Sequence, residues 1–191
     1  MSDWEKMDIR PGRGDDRFRV DGIKAWSDGS NQAYTGYQRT NYLGRDSRGA
    51  LNYTLEQLTE AVRRAHRAGW QVGVHANGDA GIDTTIAAYE TVLRETPRTD
   101  HRHRIEHCSI LHPEQIAKMR ELGLSPSFLI GHVRWWGKAF RDRILEVLRE
   151  RAFMTFAPPR KKQACAYRFT RTGTSLQSSR CAASRTPSRA S

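Results

Sequence analysis

Residues 70–79 read WQVGVHANGD. Trp70, Val72 and Val74 alternate with smaller or polar neighbours, the period-2 pattern of a strand with one buried face. The alternation stops at His75, and the chain then turns through Ala-Asn-Gly-Asp. An imidazole at the end of a buried strand, on the lip of a glycine-containing loop, is either a core residue or a ligand. The elements on either side decide between the two.

Upstream, residues 54–69 (TLEQLTEAVRRAHRAG) predict a helix. Thr54 can cap it, Gln57 completes a capping box, and Leu55, Leu58, Val62 and Ala65 make one apolar face closed by Gly69. Further back, FRVDGIKAW (18–26) reads as a strand that runs into a long polar loop, SDGSNQAYTG. Residues 1–17 are polar and rich in Gly and Pro, and are expected to be irregular. Downstream, a second helix begins near Asp79 or Asp83 and contains AAYETVLRE. HRIEHCSI (103–110) is a strand, HPEQIAKMRELG (112–123) a helix with Pro113 in its first turn and Gly123 at its end. LSPSFLI (124–130) is a strand, and KAFRDRILEVLRER (138–151) a further helix.

Strand and helix alternate four times, which predicts an α/β chain with a parallel sheet. Four βα units are half of a closed (βα)8 barrel, a fold that runs to about 250 residues. The expectation is therefore a partial barrel.

Composition narrows the function classes. The net charge of +11 suggests nucleic acid until it is located. Residues 160–191 carry eight of the 32 basic residues and none of the 21 acidic ones, leaving the body near +3. A polyanion-binding body is thereby disfavoured. No apolar run approaches the roughly 18 residues of a membrane span, and MSDWEKMDIRPGRGDD has no signal-peptide character. Cys108, Cys165 and Cys181 give neither a disulfide framework nor a C-x-x-C site. A cytoplasmic protein without a membrane partner is expected.

The chemistry-bearing residues fall at strand ends, the edge where βα barrels build active sites. His75 and His107 lie one βα unit apart, so on adjacent parallel strands they share one mouth. Neutral imidazoles there suit Zn²⁺ or a similar divalent ion, or are satisfied histidines at strand ends. Lys24, between Ile23 and Ala25, is costly on a strand unless paired or modified; Asp28 is its simplest partner. Asp79 either orients a ligand or caps the next helix. Glu106 would face away from His107 in a regular strand and pair with Arg104 or Arg102. His132 and Trp136, in GHVRWWG, either line a pocket or belong to the core. His66, His101, His103 and His112 call for no functional role.

Taken together, VDGIKAWSDGSNQAYTGY, VGVHANGDAGID, HRIEHC and PSFLIGHVRWWG, in this order, resemble amidohydrolase family 3 of the metal-dependent amidohydrolase superfamily, which includes N-substituted formamide deformylase-like enzymes. The resemblance covers about residues 18–157. It implies strands four to seven of a (βα)8 barrel and a site with one or two divalent metals, zinc foremost. Lys24 then matches a lysine that can be carbamylated and bridge metals. His75 and His107 match metal-ligating histidines ending the fifth and sixth strands. His132 and Trp136 match a segment near the substrate, and Asp79 would orient the ligands. The implied reaction is hydrolysis of an amide or formamide C–N bond by a metal-activated water.

The family's His-x-His pair of the first strand and its aspartate of the eighth are not seen in their places; His101 and His103 precede the sixth strand. A chain with little or no activity is expected. From about Arg160 the composition changes abruptly to RKKQACAYRFTRTGTSLQSSRCAASRTPSRAS. If each shifted codon takes the last base of one codon and the first two of the next, FTRTGTSL can become His-Ser-His-Trp-Asp-Val-Pro, which resembles the family's eighth-strand segment. Residues 158–191 are accordingly expected to be an out-of-frame, disordered basic tail. The rival reading is a small basic α/β module whose tail grips nucleic acid.

Overall fold

The computed structural model describes residues 9–145 and the two-residue strand 168–169. A short antiparallel pair opens the chain: β1 (Arg13–Gly14) against β2 (Arg19–Val20). The segment before Phe18, expected to be irregular, thus contributes a strand. The expected strand 18–26 divides at Asp21 into β2 and β3 (Gly22–Trp26).

The main sheet is parallel throughout. β3, β4 (Gln71–Ala76), β5 (Arg104–His107), β6 (Ser125–Phe128) and β7 (Arg168–Phe169) lie side by side in chain order. Helix α1 (Leu55–Arg67) joins β3 to β4, α2 (Asp79–Glu95) joins β4 to β5, and α3 (Pro113–Glu121) joins β5 to β6. Each strand simply adds beside the last, which is the progression of a βα barrel rather than of a doubly wound sheet. β7 takes the place beside β6 where the next barrel strand would lie. The rest of 146–191 lies outside the described residues, and with it the out-of-frame reading, the nucleic-acid-binding tail and the end of the helix expected over 138–151. The described part of that helix is a helical stretch of wide turns over 132–144.

The periodicities explain the layers. Thr54 accepts from the Gln57 backbone and Gln57 returns a bond to the Thr54 N–H, so the capping box is complete. Leu58, Val62 and Ala65 then pack on Val72, Val74 and Ala76, whose side chains alternate toward the helices. Ile82, Ile86 and Tyr89 of α2 and Ile105 of β5 complete that core. Burying one such aliphatic side chain stabilises by about 1.5–3 kcal/mol. A smaller core of Tyr42, Ile110, Phe140, Ile144 and Leu145 holds the loop after β3 against the 132–144 stretch. The other face of the sheet carries Lys24, Trp26, Gly73, His75, Arg104 and Glu106. It is the face a closed barrel turns inward.

Candidate active site

Register places the site. Lys24 pairs with Gly73, and Gly73 with Arg104; Trp26 pairs with His75, and His75 with Glu106. Paired residues of neighbouring parallel strands share a face, so Lys24, His75 and Glu106 stand on one surface. Glu106 therefore does not face away from the histidines. Its Oε1 accepts from Nε of Arg104 at 2.5 Å, the pairing expected for it. Gly73 leaves room for that carboxylate: a Cβ there would stand 3.0 Å from Oε1.

By register His107 is opposite Ala76, a core residue, and a regular strand would turn its ring toward the helices. The backbone breaks the rule. His107 has φ 78° and Cys108 φ 40°, both left-handed, a conformation that non-glycine residues adopt at some cost. The ladder ends there and the His107 ring lies 4.6 Å from that of His75, edge to face. The His132 ring lies 6.0 Å beyond His107. The sheet edge thus carries a row of three imidazoles.

The surroundings of His107 and His132 favour the neutral ring. Burial, with the nearby charges of His75, Lys24 and His132, pushes His107 down to about 3. Burial also lowers His132. Nε2 of His75 lies 2.8 Å from the Gly29 carbonyl. A carbonyl only accepts, so Nε2 carries a proton toward Gly29; Asn77 Nδ2 lies 3.1 Å and Asp28 Oδ1 3.5 Å from the same nitrogen, and Nδ1 has no hydrogen-bond partner among the described residues.

Lys24 stands near this row, its Nζ 5.2 Å from the centre of the Trp26 ring. Burial lowers its pKa, opposed by the charge of Glu106 and reinforced by that of Arg104. It does not pair with Asp28 as expected. The Asp28 carboxylate instead accepts from the backbone N–H groups of Tyr37, Asn77 and Gly78, pinning the loop after β3 to the start of α2. Burial raises Asp28, and these three donors draw it back.

Asp79 is placed differently from the expectation. Its oxygens accept from Arg39 N at 2.7 Å and from Nε2 of His112 at 2.9 Å, rather than orienting His75 or His107. His112, expected to need no account, is therefore part of a buried pair that seats α3 against α2. His132 is buried, whereas Trp136 is 41% exposed; the Phe140 ring contacts both, edge-on to His132 and stacked on Trp136.

The sequence reading missed Asn77 and Ser109. Each stands two residues after a strand-ending histidine, which was the available signal. Asn77 Nδ2 donates to the Gly29 carbonyl alongside His75, and Ser109 Oγ lies 2.7 Å from Asn77 Oδ1 and 2.8 Å from Nδ1 of His132.

A sequence profile described as "Amidohydrolase family" matches residues 1–157. The chain belongs to the amidohydrolase family. Protein LONG AFTER FAR-RED 3 of Arabidopsis thaliana is 30% identical over 117 residues, 59% of this chain and 19% of that protein. N-substituted formamide deformylase of Arthrobacter pascens is 30% identical over 92 residues, 48% of this chain and 17% of the enzyme. Among solved structures, an uncharacterized metal-dependent hydrolase from Pyrococcus furiosus matches with a TM-score of 0.61 and 27% identity, over 71% of this chain and 28% of its own. A second, from Pyrococcus horikoshii OT3, matches with a TM-score of 0.61 and 26% identity over 71% and 27%. The chain spans less than a third of the length of each of these relatives.

The family implies a divalent metal, and the residues fit it in part. Two adjacent imidazoles, His107 favoured as the neutral ring by burial and His75 with Nδ1 free of any hydrogen-bond partner among the described residues, are the kind of donors that Zn²⁺ and similar ions take. Among the described residues, no three His, Cys, Asp or Glu side chains gather around one point. Lysine counts as a donor only once it is carbamylated. Among the described residues no helix is long and apolar enough to cross a membrane.

Proposed function

We propose that this sheet edge is one wall of a hydrolase site that cleaves a non-peptide C–N bond in a small amide or formamide, with His75 and His107 holding a divalent ion, zinc first. The carrying observation is the 4.6 Å approach of the two rings, achieved against the strand's own alternation by left-handed backbone at His107 and Cys108. Strain that turns one side chain toward another is retained where the contact has a use. A divalent ion held there would supply a bound water acidic enough to be hydroxide near neutral pH.

The remaining residues have separate roles on this reading. Lys24, its amine lowered by burial, is neutral more often than a surface lysine. Its Nζ can form an N–C bond to carbon dioxide and release a proton to solvent, leaving an oxygen donor beside the histidines. Trp26, half-exposed on the same face, and Trp136 at the rim offer flat apolar surface to the substrate's N-substituent. His132 faces the same row as a neutral acceptor. With two imidazoles as the described donors, the chain by itself is expected to bind zinc weakly and to turn over little substrate.

Calorimetric zinc titration tests the reading. His75→Ala and His107→Ala are each expected to weaken binding by roughly tenfold or more. Binding untouched by both substitutions would refute it. Hydrolysis of an N-formyl amine, measured alongside, is expected to be scant; rapid metal-dependent turnover would overturn the expectation of a nearly inactive chain.

A further inference from the structure

Ser109 and Asn77 have no place in the reaction outlined above, yet they form a hydrogen-bond chain with only one consistent assignment of protons. Asn77 Nδ2 lies 2.9 Å from the Gly29 carbonyl, which only accepts, so the amide nitrogen is on that side. Asn77 Oδ1 is then the atom 2.7 Å from Ser109 Oγ, and it too only accepts. The single hydroxyl proton of Ser109 must point at Asn77. Ser109 Oγ is also 2.8 Å from Nδ1 of His132 and has no proton left to give, so Nδ1 must supply one. The reverse arrangement would bring two bare acceptors together at Asn77 or at Gly29, in a buried place where that is costly. Ser109, Asn77 and His132 are all buried, and among the described residues Nε2 of His132 has no hydrogen-bond partner.

We propose that Ser109 and Asn77 are positioning residues that lock His132 as its Nδ1–H tautomer and so keep Nε2 as a permanent hydrogen-bond acceptor in the row of imidazoles. The same Gly29 carbonyl takes protons from Asn77 Nδ2 and from Nε2 of His75, so one backbone atom sets the tautomers of two histidines in the row. Resting on the hydrolase reading above, the acceptor meets an N–H of the substrate: the amide or formamide N–H beside the bond to be broken. A substrate with a fully substituted nitrogen would offer it nothing. The relay thus selects for nitrogen that bears a hydrogen.

Nitrogen-15 NMR of the histidine side chains tests this directly, because protonated and lone-pair ring nitrogens resonate far apart. The His132 signals are assigned by their loss in His132→Gln. The full chain is expected to show one neutral His132 tautomer with the proton on Nδ1. Ser109→Ala should give a mixture, shifting the tautomer ratio by roughly fivefold to tenfold for one lost buried bond, and Ser109→Thr, which keeps the hydroxyl, should restore the single form. Ser109→Ala could disturb the fold, so the dispersed signals of His101 and His103 serve as the control. An N-alkylformamide added to the full chain should move Nε2 of His132, and the corresponding N,N-dialkylformamide should not. A proton on Nε2 in the parent, or an unchanged ratio in Ser109→Ala, would overturn the relay; equal responses to the two formamides would overturn its selectivity. Zinc added to the same sample separates the two readings. If zinc leaves His75 and His107 unmoved while the tautomer is as assigned, the metal reading fails and the relay stands.

Discussion

His103 should make the fold acid-labile, and removing it should remove that lability. The ring is fully buried and stacked on Tyr89. Its Nδ1 accepts from the Val72 N–H at 3.0 Å and its Nε2 faces Nδ1 of His66 at 2.8 Å. Nε2 of His66 lies 2.9 Å from the Thr96 carbonyl, so His66 carries its proton there and accepts at Nδ1. Every ring nitrogen is thus used, and each use requires the neutral ring. Burial, reinforced by His101, His66 and Arg98, pushes His103 down from 6.5 to about 3. The depressed histidine makes the unfolded chain the better proton binder below pH 6.5. Its stabilising effect is whole above that pH and drains away as pH falls toward 3. At about 1.4 kcal/mol per pKa unit, the loss between pH 7 and pH 5 is about 2 kcal/mol from this one ring. His103→Gln loses the bonds and is less stable at pH 7, but lacks the proton uptake. The stability gap between parent and variant, from urea unfolding followed by circular dichroism, should therefore narrow by about 2 kcal/mol from pH 7 to pH 5. A gap that stays constant or widens would refute the reasoning.

Other substitutions read other parts of the structure. Gly81→Ala would set a Cβ 2.5 Å from Oδ2 of Asp28 and push that carboxylate off its three donors; a loss of about 2 kcal/mol is expected in urea unfolding, and an unchanged midpoint would contradict it. Tyr89→Phe removes a buried hydroxyl lying 2.9 Å from the Val72 carbonyl and 3.0 Å from that of Arg104, so about 1 kcal/mol should be lost by the same measurement. Thr54→Ala should cost about 1 kcal/mol through the capping box, seen as a lower thermal midpoint. Arg39 joins the loop after β3 to Asp83 of α2 and to Glu114 of α3. Because those partners are exposed, Arg39→Ala should cost no more than about 1 kcal/mol, and less in high salt.

The fold was legible because its periods are clean. The 3.6-residue stripe of 54–69 and the alternation of 70–76 each have one physical solution, and the structure has α1 and β4 there with the predicted capping box. What failed to show was anything set by a break in the pattern. Reading His107 as a regular strand residue of the site sends Glu106 away from it. The structure keeps Glu106 on the site face and brings His107 round by left-handed backbone, which the letters His-Cys do not announce. Asp28 and Asp79 looked like partners for Lys24 and the histidines because they are near in sequence. Asp28 instead accepts from the loop backbone, with one oxygen 3.5 Å from Nε2 of His75, and Asp79 pairs with His112, contacts that only the tertiary fold brings close.

The two ends of the sheet finally supply a physical criterion for the histidines, which sequence alone could not sort. At the strand beginnings, His66, His101 and His103 use both ring nitrogens: His101, for instance, accepts from the His103 N–H and lies 2.9 Å from the Leu122 carbonyl. Such rings are fully satisfied and have nothing to offer a ligand. At the strand ends the pattern inverts. His75 and His132 each hydrogen-bond through one ring nitrogen and leave the other without a partner among the described residues, where the His107 ring makes no hydrogen bond either. Among the described residues the buried polar side-chain atoms without a partner include no histidine nitrogen, so the spare nitrogens of this row keep access to the space over the sheet edge, where imidazoles can meet a ligand. By this measure the edge at His75 is the one the proposed hydrolase reading needs, and the buried histidines beneath it are structure.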